Sequence, residues 1–151
     1  MVKSKDKGKR WERDAVMELN KRFPATWKRI PGSGAFGTIL NVDDLRGDLV
    51  GRYYFLPFKI RGEAKTGYGG ATQLAMKREW FEKIRKEAES SLSKELPMLI
   101  CKYSGSRDRI KHFIALDFEA FNTLLEAFEE LHQENIRLRE KWETYVHGGH
   151  T

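Results

Sequence analysis

The chain has 151 residues, of which 40% are hydrophobic and 33% charged. That is enough for one compact domain with a core, and too apolar for a disordered polymer. No run of about 18 apolar residues is present, which argues against a helical membrane span. "MVKSKDKGKR" has no apolar segment of the kind a signal peptide needs. The single cysteine, Cys101, cannot close an internal disulfide, so a reducing, cytoplasmic setting is expected.

Net charge is +6 and concentrated at one end. Residues 1–30 hold ten Lys/Arg against four Asp/Glu, whereas residues 31–151 hold eighteen of each. Such a basic end suits a polyanion such as nucleic acid, or serves as a solubilising tail. Residues 1–8 read as a disordered basic tail. A helix is predicted over 9–23, with Val16, Leu19 and Phe23 at helical spacing and Pro24 ending it. "ATWKRI" (25–30) reads as a strand, "PGSGAFGT" (31–38) as a glycine-rich loop continued by 41–47, and 48–66 as a hairpin. Thr72 is a candidate cap for a second helix over 72–92 that turns Leu74, Phe81, Ile84 and Ala88 inward. Strands over 97–104 and 111–118 and a long helix over 119–146 complete the chain. The expected fold is a single α/β domain: a mixed central sheet of about five strands flanked by helices on both faces, with a long C-terminal helix. Residues 9–131 would form the body and 132–151 an extension.

The hairpin carries the chemistry. Side chains alternate along a strand, so Glu63 and Lys65 share one face and Ala64 takes the other. A turn centred between Phe55 and Leu56 sets Asp48 opposite Glu63, with Cβ atoms about 5 Å apart. "YYFLP" is unusually apolar for a tight turn, so the register rests on symmetry alone. Two carboxylates that close repel unless a cation joins them. Mg²⁺, which takes oxygen ligands at about 2.0–2.1 Å, is the expected ion, with Mn²⁺ as a substitute. Lys65 stands beside it. On the first helix Glu12 heads the stripe of Val16, Leu19 and Phe23. It is either salt-bridged to an arginine or a third acid near the metal.

An aspartate at "GD" (47–48) followed by "EAK" (63–65) resembles the motif of the PD-(D/E)xK nuclease superfamily. "KRWERDAVMEL" resembles the first helix of archaeal-type Holliday junction resolvases (the Hjc family), and "KRIPGSGAFG" their Arg-x-Pro-x-Ser-Gly loop. The likeness covers roughly residues 8–118 and implies a restriction-endonuclease-like fold. It implies that Asp48, Glu63, the Ala64 carbonyl and Glu12 hold the metal and that Lys65 orients the water. Ser33 would be a catalytic-loop residue. Lys9, Arg10, Arg13, Lys28 and Arg29 would contact DNA, with Gln73 beside the site. Gly47 stands where the family has proline, and Asp43 and Asp44 compete as acidic ligands. The activity implied is paired, symmetric hydrolysis of a four-way DNA junction by a homodimer, leaving 5′-phosphates, in an archaeal cytoplasm or that of a phage host. Other PD-(D/E)xK nucleases, restriction-like or flap-type, and a non-catalytic DNA-binding scaffold are the alternatives.

The last helix has its own pattern. Phe121, Leu124, Phe128, Leu131, Asn135, Leu138 and Trp142 step alternately by three and four residues, with Asn135 at an a position, a device that sets register in dimers. Such a helix either lies on its own sheet or docks on a partner. Cys101 is expected to be an inert core thiol, the four tryptophans packing groups, and His112 and His132 surface residues. "HGGH" (147–150) has no further ligands nearby for a metal, and "GSGAFG" lacks the Gly-Lys-Ser/Thr of a P-loop.

Overall fold

The computed structural model describes residues 4–30, 48–105, 107 and 109–148. Its elements run α1 (Ser4–Asn20), β1 (Trp27–Arg29), β2 (Leu49–Gly51), β3 (Lys59–Thr66), α2 (Arg78–Glu89), β4 (Glu95–Lys102), β5 (His112–Ala115) and α3 (Phe118–His147). The five strands form one sheet in sequence order. Every neighbouring pair is antiparallel except β3 and β4, which are parallel and joined through α2. This is the expected mixed α/β domain.

Alternation along the strands sorts the core into two layers. Leu49, Ile60, Leu96, Met98 and Ile100 face α1 and α3, where Trp11, Ala15, Ala120 and Ala127 close over them. Leu99 and Cys101 face α2, beneath Trp80 and Ile84. Three of the four tryptophans are buried, as the composition of the core requires. Trp142 is 65% exposed and stacks on Tyr145.

Backbones approach closely at the β2–β3 pair. A Cβ on Gly51 would stand 2.5 Å from the Trp27 ring, and one on Gly62 2.9 Å from Ile100 Cδ1. Only glycine lets Trp27 lie flat across these two strands.

Several boundaries differ from the sequence expectation. Helix α1 starts at Ser4 rather than near residue 9. An interior glycine costs a helix only about 1 kcal/mol relative to alanine, and Gly8 is tolerated. Helix α2 starts at Arg78 rather than 72: Gly67, Gly69 and Gly70 adopt positive φ, and the Ala75 N–H closes a loop on the Tyr68 carbonyl at 2.7 Å. Thr72 therefore caps nothing, and Lys77 occupies the cap position without a side-chain bond. Leu74 still packs on the Trp80 cluster, but from the loop. Helix α3 is continuous and capped by Asp117, whose side chain accepts from Ala120 N–H at 2.8 Å. Among the described residues no helix is long and apolar enough to cross a membrane.

Candidate active site

Strand pairing assembles the site from the two arms of the hairpin. The register sets Leu49 opposite Gly62, which extends to Asp48 opposite Glu63 as the sequence predicts. Asp48 continues the sheet in both directions. Its carbonyl accepts from Ile30 N–H at 3.0 Å, and its N–H donates to the Gly62 carbonyl at 3.1 Å. The Asp48 carboxylate takes a hydrogen bond from Ala64 N–H at 3.0 Å, so the main chain of β3 aims it. Ala64 is thus a hydrogen-bond donor to the site through its N–H.

Glu63 is 3% exposed and points to the α2 side. A carboxylate buried that deeply needs compensation, and two lysines supply it. Lys65 donates to one oxygen, and Lys83, from α2, to the other at 3.0 Å. Lys65 is held in turn over the Trp80 ring, 4.9 Å from its centroid. Burial, and then the neighbouring Glu63 charge, push the Asp48 carboxyl up to about 6, while the Ala64 N–H pulls the other way. For Lys83, burial favours the neutral amine, but Glu63 overrides it and raises the pKa.

Glu12 lies close enough for its charge to be felt at Asp48. Its carboxylate is taken by Arg29 at 2.9 Å, the salt-bridge reading of the sequence. Among the described residues no group of three or more Asp, Glu, His or Cys side chains is placed to hold an ion by protein ligands alone. The oxygen donors that converge are Asp48 and Glu63. They suit a hard divalent cation bound through a few carboxylates, with the rest of its shell from water and phosphate, as Mg²⁺ prefers. Their mutual repulsion, visible in the raised Asp48, is what such a cation relieves.

The other expected site residues fall into three groups. Lys9, Arg10, Arg13, Lys28 and Arg29 are exposed on α1 and β1. Gln73 is exposed in the loop before α2, not on the helix, because that helix starts later. Ser33, Asp43 and Asp44 lie outside the described residues. Lys83 and Trp80 were not among the expected site residues. Trp80 and Ile84 mark the inward face of α2, and Lys83 sits on its flank. The three-residue step from Trp80 to Lys83 is the one signal that could have found it. Cys101, buried in the cluster with Leu99 and Trp80, is a core thiol whose pKa is pushed up to about 11, chiefly by burial.

Comparisons with known proteins give the family. Residues 3–147 match the family described as "Phage putative PDDEXK endonuclease". Protein D14 of Escherichia phage T5 is 31% identical over 124 residues, covering 77% of this chain and 72% of its own length. No solved structure matches. The chain belongs to the phage PD-(D/E)xK endonuclease family, which makes it a nuclease by class.

Proposed function

We propose that this nuclease cuts branched DNA, resolving four-way junctions by paired symmetric hydrolysis as a homodimer, with Mg²⁺ as the working ion and Mn²⁺ as a substitute. The observation that carries the reading is Asp48 facing Glu63 across the β2–β3 pair with Lys65 donating to Glu63. Asp48 and Glu63 would hold the ion, which would supply Lewis acidity and charge stabilisation at the phosphorus. Lys65, whose ammonium lies over the Trp80 ring, would orient the attacking water. Lys83 would hold Glu63 in place through its hydrogen bond. The water oxygen bonds to phosphorus, the P–O3′ bond breaks, and the proton lost by water balances the one gained by the 3′ oxygen, leaving a 5′-phosphate.

Junction preference rests on the likeness of the first helix and the 28–37 segment to junction resolvases. A two-fold junction needs two symmetric cuts, which a C2 dimer supplies. The exposed half of α3 offers a surface for that dimer. Leu138 and Trp142 continue the heptad at 51% and 65% exposure, with Asn135 to fix register. Lys9, Arg10, Arg13, Lys28 and Arg29 would neutralise phosphates, so affinity should fall steeply with salt.

The test is cleavage of a labelled synthetic junction with Mg²⁺ by wild type, Asp48→Asn and Lys65→Ala, with linear duplex as control. Paired symmetric cuts in the junction alone, lost in both variants, is the expected result. Equal cutting of duplex and junction overturns the substrate assignment and leaves a restriction-like nuclease. Tight binding without cutting overturns the enzymatic reading in favour of a scaffold.

A further inference from the structure

Beyond the carboxylates, a second cavity of about 170 Å³ opens where α1 crosses the C-terminal ends of β3 and β4. Lys7, Arg10 and Lys102 line it, with the hydroxyls of Thr66 and Ser104. Asp14 is the one acidic group on the wall, so the lining carries a surplus of positive charge. None of the three cations forms an ion pair with a described residue. Like charges gathered around one hollow repel, and an anion removes that cost. The floor is Trp11, anchored by its indole N–H to the Ile100 carbonyl at 3.0 Å and stacked on His112. That ring carries Lys102, whose ammonium stands 5.2 Å from its centroid, so the cation is placed before any ligand arrives. At the rim, Gly67 and Gly105 have positive φ and nothing within 4 Å of where a Cβ would stand.

Lys7, Arg10 and Asp14 recur on one face of α1, and Thr66 pairs with Lys102 across the parallel β3–β4 ladder. Thr66 lies three residues past Glu63, about 10 Å along the strand and, by alternation, on the α1-facing side of the sheet rather than the α2 side. We propose that this cavity is a subsite for one backbone phosphodiester of the bound DNA, on the α1 side of the C-terminal end of β3. The inference rests on the reading of the protein as a DNA nuclease and adds Lys7, Lys102, Thr66 and Ser104 to the DNA-contacting set.

The experiment is equilibrium binding of the full-length protein to labelled junction and duplex in EDTA, read by fluorescence anisotropy. Lys7→Gln/Lys102→Gln is expected to bind about tenfold more weakly. The slope of log affinity against log salt should shrink by about 0.9, one phosphate's worth. Lys94→Gln, at the opposite end of β4, should leave both unchanged. Single neutral methylphosphonates are then placed one to four nucleotides either side of the mapped cut. One position should weaken the wild type by a similar factor and leave the double variant indifferent. Additive losses at every position, with wild-type binding and cutting intact, overturn the subsite alone. Failure of the wild type to bind any DNA overturns the nuclease-on-DNA reading and the subsite with it. Thermal melts report whether the double variant folds, and Lys7→Gln alone, on an exposed side chain, gives the same reading if it does not.

Discussion

Strand β3 carries two acid–base clusters on the same face, two residues apart, and they are built in opposite ways. At Arg61 the guanidinium is 2% exposed and meets Glu95 bidentately at 2.6 and 2.7 Å, with Ser91 Oγ donating to the same carboxylate at 3.1 Å. The guanidinium and the carboxylate it grips are both shut away from solvent. At Glu63 one buried carboxylate draws two lysines, while a second carboxylate, Asp48, is held against it at the cost of a raised pKa. The first arrangement minimises its own energy. The second keeps two like charges together, with two lysines gathered on one of them. The difference separates a structural ion pair from a site, although both read as charged residues in a strand.

The comparison is broken most easily at the reacting end. Asp48→Asn and Lys65→Ala should each lower cleavage by about 10³-fold or more while leaving the thermal midpoint within a few degrees. A collapse of the fold in Lys65→Ala would place that cluster with the structural pairs.

The converse change is Glu95→Ala, which removes the bidentate partner of the buried Arg61 guanidinium. It should lower stability in denaturant unfolding by a few kcal/mol, about the loss when one partner of a buried pair is removed. Unchanged stability would mean that the Glu95 contact is not a structural one.

A smaller effect sharpens the contrast through pH. The Asp48 carboxyl is raised from 3.8 to about 6, so the folded metal-free protein holds that proton more tightly than the unfolded chain. Its contribution to stability is fully present below pH 3.8, is lost as pH rises towards about 6, and is constant above. Asp48→Asn removes the repulsion while its amide oxygen can still accept from Ala64. Relative to wild type, the metal-free variant should gain about 1–3 kcal/mol at pH 7.5 and nothing at pH 3.5. A gain that is the same at both values would contradict a charge origin. Asp117 behaves oppositely. Burial would raise it, but Arg85 and the Ala120 N–H hold it below the usual carboxylate range, so its share of stability is lost as pH falls.

The least effect on the body of the protein is expected from deleting residues 132–151. The described part of this segment is exposed throughout, so the melting temperature should move by no more than a few degrees. Sedimentation should report a shift towards monomer, and junction affinity should drop. Unchanged sedimentation and affinity would remove the dimer role from α3.

What could be seen in the sequence follows from how local each constraint is. The Asp48–Glu63 register was legible because strand alternation has period two and the connection, although eight residues (52–59) separate the paired Gly51 and Ile60, stays centred between Phe55 and Leu56. The order of elements followed from the periodicity of each segment. Lys83 was not legible, because its reach to Glu63 depends on how α2 crosses the parallel β3–β4 pair. Arg61 and Glu95 were hidden for the same reason: their meeting is fixed by a tertiary crossover, not by spacing. The late start of α2 came from three positive-φ glycines, which a propensity reading of 72–77 does not weigh. Ser33 and the acids at 43 and 44 lie outside the described residues.

The flat seat of Trp27 over Gly51 and Gly62 bears on how this hairpin can drift. A library of random substitutions sorted only for well-folded protein would return both glycines unchanged, since the smallest side chain at Gly51 collides with the indole. The same library sorted for DNA cutting would also return Asp48, Glu63 and Lys65. If Glu63 and Lys65 carry the chemistry proposed for them, the two selections would interleave along β3, with Ile60, Gly62 and Ala64 answering to packing and Glu63 and Lys65 to cutting. Adjacent codons of one short strand would then be under separate pressures, and a lineage could change what is cut without touching how the chain folds.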